Sequence, residues 1–193
     1  MTLVPGAPTP FPTPDPPLGD GVVTLRPPDD RDLPAIEQSL RDPDVIRAFG
    51  GSTLDAEQML ERMRSRWTRG EAATFAICDT TDRCVGHVFV NLGPSHRATV
   101  GYWLVLEVRG KGLATRAVRL VSRWALRELV LPRLGLLAEP WNVDSQRVAE
   151  RAGFRREGVL RAWAEIDGRR VDYVSFSLLP ADLDEPKHAA LTT

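Results

Sequence analysis

The hydrophobic period of this chain changes abruptly near residue 110, and that change constrains the fold more than any other feature. From Ala98 to Leu106, aromatic and β-branched residues alternate as in a strand. From Gly112 to about Leu129, Leu113, Ala117, Leu120, Val121 and Trp124 recur at helical spacing, which gives an amphipathic helix. The junction reads Arg109-Gly110-Lys111-Gly112-Leu113-Ala114. Two glycines and a small alanine leave several backbone N–H groups uncovered at the helix start, and the helix dipole adds partial positive charge there. Together they make a seat for a pyrophosphate. Gly112 lets the ligand approach the backbone, since a Cβ there would obstruct it.

The rest of the chain builds an α/β domain around this junction. Val22-Val23-Thr24-Leu25-Arg26 predicts a first strand, closed by Pro27-Pro28. Asp30 to Leu40 predicts a short helix. A second, capped by Thr53, carries Leu54, Gln58, Met59, Met63 and Trp67 at helical spacing and stops at Gly70. Thr74–Cys78 and Cys84–Asn91 form a hairpin around residues 79–83. Leu134–Ala138 is a strand, Ser145–Ala152 a short helix ending at Gly153, and 154–163 and 170–178 two strands turning at Asp167-Gly168. Strand, two helices, three strands, helix, strand, helix and two strands give one mixed sheet with antiparallel hairpins and one βαβ crossover.

Both ends stand apart. Seven prolines between Pro5 and Pro17 cannot donate backbone hydrogen bonds, so residues 1–20 are expected to form an extended, disordered leader. The domain then spans 21–183, and 184–193 form a C-terminal tail. The N-terminus has neither a basic start nor an apolar core, so no secretory signal is expected. No apolar run is long enough to span a membrane. A net charge of −1 on 193 residues argues against a nucleic-acid partner. Two cysteines and three histidines are too few for a disulfide framework or a zinc site with its usual ligand pairs, so no metal is expected. These features favour a cytoplasmic location.

Three phosphate-binding turns compare with the junction. A Walker loop fails, because Val105 stands where its first glycine belongs. A dinucleotide fingerprint fits Gly110 and Gly112 but ends on Thr115, and an antiparallel strand leads into it. The turn R/Q-x-x-G-x-G/A fits Arg109, Gly112 and Ala114. Around it lie Gly101-Tyr102-Trp103-Leu104, Asn142-Val143-Asp144-Ser145 and, from Arg151 to Gly158, R-A-G-F-R-R-E-G. In this order the run resembles the RimJ/RimL branch of the GNAT N-acetyltransferase superfamily, most closely over residues 97–179 and more weakly back to Val22.

The resemblance implies a GNAT-type mixed, mostly antiparallel sheet flanked by helices, with a V-shaped splay between the fourth and fifth strands. It implies acetyl-coenzyme A as co-substrate, its pantetheine arm lying in the splay like an added strand. The strand at 101–106 would carry a bulge. Trp103, Leu104 and Val105 would offer backbone groups, with an N–H near Leu104 holding the oxyanion. Arg109, Gly110, Lys111, Gly112, Leu113 and Ala114 would hold the pyrophosphate, and Asn142 would contact the pantetheine. The acceptor would be a primary amine, of a small molecule or a protein N-terminus, attacking directly in a ternary complex; homodimers are frequent in this branch.

The leaving thiolate departs better if protonated. No tyrosine follows Asn142 on its helix, and Ser145 matches the donor proposed for this branch; equally, Ser145 suits a helix cap. The branch's glutamate base aligns with Ala164, and Glu165, one residue on, points to the opposite face of its strand unless a bulge intervenes. Arg116 stands where the branch commonly has glutamate. The weakened acid–base pair keeps a second reading open, a non-catalytic module that senses acyl-coenzyme A. A third, an interaction module acting through the proline-rich leader, also stands.

Arg116, Arg119, Arg123 and Arg127 form a stripe that reads as a solvated face or a contact for the coenzyme's 3′-phosphate. Cys78 and Cys84 are expected as free thiols, His87 as a core or groove residue, and the five tryptophans mostly as packing.

Overall fold

The computed structural model describes residues 9–49, 53–93, 98–166 and 168–183. In chain order they form β1 (Leu18–Gly19), β2 (Thr24–Arg26), α1 (Leu33–Arg41), α2 (Pro43–Phe49), α3 (Ala56–Thr68), β3 (Ala72–Cys78), β4 (Cys84–Leu92), β5 (Ala98–Leu104), α4 (Leu113–Arg127), β6 (Leu134–Ala138), α5 (Val143–Ala152), β7 (Arg155–Ile166) and β8 (Arg169–Leu178). The strands make one eight-stranded sheet in the order β1-β2-β3-β4-β5-β6-β8-β7. Every neighbouring pair is antiparallel except β5 and β6.

That exception positions the site. β5 and β6 run parallel and pair only through Ala98↔Leu134 and Thr99↔Gly135. Beyond Thr99 they part, so the expected splay lies between these two strands. Val105 N–H donates to Val85 O at 2.9 Å, toward β4. Backbone groups alternate along a strand, so Val100, Tyr102 and Leu104 turn theirs toward the gap.

The core explains why the helices lie where they do. β3 is buried at every residue, so both faces of the sheet are covered there. α4 packs across β1, β2, β4 and β5 and buries Ala117, Val118, Val121, Trp124 and Ala125. Trp124 meets Phe75 edge-on at 5.1 Å and stacks on Trp67 at 6.4 Å. α1 and α3 close a smaller cluster around Ile36, Ala56 and Leu60.

Several expectations change. The leader does not run loose to residue 20: Phe11 is buried against Trp67 and Trp124, Trp67 Nε1 donates to Phe11 O at 2.9 Å, and Leu18–Gly19 adds β1 to the sheet edge. Prolines bar regular ladders, but one aromatic side chain with a pocket anchors the segment. Residues 1–8 and 184–193 lie outside the described residues. The helix after residue 53 is capped by Asp55, not Thr53, in a reciprocal box with Gln58. α2 was not foreseen, although Asp42-Pro43 is a helix-start pair: Asp42 Oδ1 accepts the Asp44 N–H at 2.9 Å and Pro43 needs no donor partner. β5 ends at Leu104 and a 3-10 turn over Leu106–Val108 follows. The bulge expected in β5 is not there, since the β4–β5 register is unbroken from Ala98 to Leu104. The irregularities fall instead at Ile77/Cys78 and within β7.

Candidate active site

A cleft of about 490 Å³ opens at the β5–β6 gap. Its walls come from the parted strands, the start of α4, the start of α5 and α2. At one end Gly112, in the left-handed conformation with φ +80°, caps α4 without any side-chain hydrogen bond to the first turn. The first intrahelical bond of α4 is Arg116 N–H to Gly112 O, so the N–H groups before it are open to a ligand. A Cβ built on Gly110 or Gly112 would meet nothing within 4 Å. The turn is an open cradle of donors at a helix start, which suits a pyrophosphate.

α5 supplies the other end. Asn142 is its cap, its Oδ1 accepting the Ser145 N–H at 3.0 Å. The capping reading of Ser145 therefore passes to Asn142, and the serine hydroxyl is left for other work. Tyr102 Oη, from β5, donates to Ser145 Oγ at 3.2 Å. Burial pushes the Tyr102 phenol above its ordinary pKa, so it stays a donor through neutral pH.

The wall formed by α2 and the end of β6 is polar. Glu139, just past β6, is 7 % exposed and holds Arg47 of α2 at 2.7 Å and Trp141 Nε1 at 2.8 Å. The Arg47 guanidinium lies 5.6 Å from the centre of the Trp141 ring. Tyr173 of β8 lines the same side; burial and then the nearby Glu139 charge raise its pKa.

Three comparisons with known proteins bear on this arrangement. The sequence profile of the "Acetyltransferase (GNAT) domain" matches residues 23–155. The chain belongs to the GNAT acetyltransferase family. A Bacillus subtilis protein named "Probable N-acetyltransferase YjcK" is 34% identical over 143 residues, 72% of this chain and 79% of its own. The Escherichia coli "[Ribosomal protein uS5]-alanine N-acetyltransferase" is 29% identical over 118 residues, 59% of this chain and 61% of its own. Among solved structures, Mycobacterium smegmatis RimJ in complex with CoA-disulfide superposes with a TM-score of 0.74 at 26% identity, covering 86% of this chain and 85% of that one.

GNAT acetyltransferases use acetyl-coenzyme A, and the chain's residues fit it: free amides at the α4 start for the pyrophosphate, and a strand edge along β5 for the amides of the pantetheine arm. Of the GNAT positions expected from sequence, Trp103, Leu104, Arg109, Gly110, Gly112, Ala114, Asn142 and Ser145 border the cleft. Val105, Lys111 and Leu113 do not line it, and the Val105 N–H is used within the sheet. The Arg109 side chain is also committed elsewhere. It donates to Leu104 O at 3.1 Å and pairs with Asp42 and with Asp44, the latter at 3.0 Å. It ties α2 to the turn, so the guanidinium is engaged by carboxylates and a carbonyl.

A bulge does intervene between Leu160 and Ala164 of β7, with Ala162 at φ +51°. Even so Glu165 is an exposed residue 3.8 Å from Arg170 and does not line the cleft. Sequence reasoning missed Tyr102, Glu139 and the α2 residues Asp44 and Arg47. Glu139 carried one signal, its place at the carboxyl end of a strand; Tyr102 stood in the Gly101–Leu104 motif, but only the β5–α5 geometry brings it to Ser145.

The arginine stripe is engaged more than expected: Arg116 pairs with Asp20 at 2.7 Å and Arg119 donates to Arg151 O. Asp32, Cys84 and His87 bring ligating atoms within 4.8 Å of one another. Arg26 already forks onto Asp32 at 2.8 and 3.0 Å, placing a fixed cation where a metal would have to share that carboxylate. Burial lowers His87 to about 4 and holds the Cys84 thiol well above its ordinary value. Both ring nitrogens of His87 are buried with no hydrogen-bond partner among the described residues. Cys78 and Cys84 are free thiols.

Proposed function

We propose that this chain transfers the acetyl group of acetyl-coenzyme A to a primary amine, either the N-terminus of a protein or peptide or a small-molecule amine, by direct attack in a ternary complex. One observation carries the reading: the Ser145 hydroxyl, released from capping by Asn142, borders the same cleft as the open amides of the α4 turn. A donor held by those amides and by the β5 edge would lay its thioester along the gap, in reach of both. The backbone N–H of Leu104, turned to the gap, is the candidate for the oxyanion. Ser145 is the candidate group for delivering a proton to the leaving sulfur.

The acceptor's ammonium, with a pKa near ~10, must lose a proton before attack. Glu139 is the buried carboxylate on that side. Both its oxygens are engaged by Arg47, and one also by Trp141, so it reads as the residue that fixes Arg47 and Trp141 on the wall the amine would approach. A protein N-terminus is favoured as acceptor by the similarity to the uS5-alanine enzyme. We also propose a cytoplasmic location; no helix among the described residues is long and apolar enough to cross a membrane.

Thiol release from acetyl-coenzyme A, measured over peptides with different N-terminal residues and over small amines, tests the function. Ser145→Ala is expected to slow turnover by at least about 100-fold while leaving coenzyme binding within about threefold. Unchanged turnover would remove the acid role. Coenzyme binding with no thiol release on any acceptor would favour the sensor instead.

A further inference from the structure

The assignment of Ser145 leaves a chemical problem. An aliphatic hydroxyl is a much weaker acid than the thiol it would protonate, so a serine acting alone would be left as an unfavourable alkoxide. A second donor behind the serine removes that problem, and the fold supplies one. Tyr102 projects from β5 onto the first turn of α5, where its Oη lies 3.2 Å from Ser145 Oγ.

We propose that Tyr102 feeds the proton that reaches the leaving sulfur through Ser145. The inference rests on the acetyl-transfer reading above. As the tetrahedral adduct collapses, the carbon–sulfur bond breaks and its electron pair stays on sulfur. The Ser145 Oγ proton passes to that sulfur, and the Tyr102 Oη proton replaces it on Oγ. The tyrosinate regains a proton from the acceptor nitrogen, which must lose one to become an amide, by way of cleft water. No net proton is gained or lost. Tyr102 acts through Ser145, so it is a positioning residue: it holds a serine lone pair and thereby aims the serine's own proton outward.

The surroundings suit this task. The Ser145 main chain is pinned separately by Asn142, so the side chain needs no part in holding the helix. Tyr102 is largely buried, and Asp144 of α5 is the charged group acting on it; both keep the phenol protonated at rest, so the proton it passes on has to be replaced from the acceptor nitrogen as the adduct collapses, leaving no standing tyrosinate. Its backbone faces the gap while its ring reaches α5, so one residue spans the pantetheine channel and the acid. Tyr102 and Tyr173 are the chain's only tyrosines, which makes the phenol easy to observe.

Two measurements test the relay. With an active acceptor, Tyr102→Phe is expected to lower kcat about 10- to 100-fold with the KM for acetyl-coenzyme A changed by less than about threefold, and the double variant with Ser145→Ala is expected to lose little beyond Ser145→Ala alone. Full activity in Tyr102→Phe, or losses that multiply in the double variant, would overturn the relay. The second measurement needs no turnover and no Tyr102 variant. In protein carrying ¹³Cζ-tyrosine, coenzyme A and desulfo-coenzyme A are expected to shift the Tyr102 resonance differently, and that sulfur-dependent difference is expected to vanish in Ser145→Ala. Equal shifts with both ligands in the wild-type protein would overturn the proposal. A sulfur-dependent shift without acetylation of any amine would sink the transferase reading but not the contact; acetylation with a fully active Tyr102→Phe would do the reverse.

Discussion

Arg47 and Glu139 lie 92 residues apart in the chain, yet the guanidinium and the carboxylate meet at 2.7 and 3.2 Å. The pair fastens α2 to the end of β6 and so fixes the distance across that side of the cleft. Glu139 is 7 % exposed, and its carboxylate would lose most of its compensation without the arginine. Arg47→Ala is expected to lower stability by about 1–2 kcal/mol, a value below that of a fully buried pair because the arginine is 39% exposed. It is also expected to raise the KM for the amine several-fold while leaving acetyl-coenzyme A binding nearly unchanged. Thermal melts and two-substrate kinetics check both halves.

The cradle at α4 depends on a backbone that only glycine adopts cheaply. Gly112→Ala is expected to cost about 1 kcal/mol from the left-handed φ and to weaken acetyl-coenzyme A roughly tenfold, about 1.4 kcal/mol, because the new methyl group enters space the phosphates would fill. Gly112→Asn tolerates the left-handed region better. Its melt is expected to recover while the affinity does not. Calorimetry on the three proteins separates strain from obstruction.

Phe11 makes a sharper test of the N-terminal segment than any truncation. It packs against Trp67 at 6.1 Å and Trp124 at 6.4 Å between ring centres. Phe11→Ala is expected to lower unfolding free energy by about 3–5 kcal/mol with coenzyme affinity retained. A urea titration reads the loss directly, and no change would mean the segment is only laid on the surface.

Acid stability carries a signature from Glu157. The Arg133 guanidinium, 2.7 and 2.8 Å away, holds this carboxyl down at about 2 against an ordinary value of 4.5. A depressed carboxyl stabilises the fold fully above its unfolded value and loses that contribution as pH falls from about 4.5 toward 2. With a side chain 41% exposed, screening limits the effect to about 1 kcal/mol. Glu157→Gln is expected to be less stable by that amount at pH 7 and to show a flatter decline between pH 5 and 2. Urea unfolding at several pH values measures both.

Much of this was legible in the chain because the relevant physics is local. A glycine turn between a period-two and a helical segment fixes an uncapped helix start within a few residues, and Asn142 with Ser145 marks another in the same way. The α2 helix was equally local, signalled by Asp42-Pro43, and was passed over. The Tyr102–Ser145 contact and the Arg47–Glu139 pair were not legible, because each joins segments whose proximity is decided by strand order and splay. Arg109 shows a third case: its position in the motif is local, but the direction of its guanidinium depends on Asp42 and Asp44, more than sixty residues away. The anchoring of Phe11 was hidden because proline density is a statement about backbone donors and says nothing of one aromatic ring.

Two rungs join β5 to β6, like a zip closed for its first teeth and left open above. That short pairing is the ladder that joins β1-β2-β3-β4-β5 to β6-β8-β7. Any extended ligand that bridges the open stretch mends the seam, so occupancy and mechanical cohesion become one event. Amide exchange at Val100, Tyr102 and Leu104 should then slow on loading, making the sheet its own reporter of whether the donor is aboard.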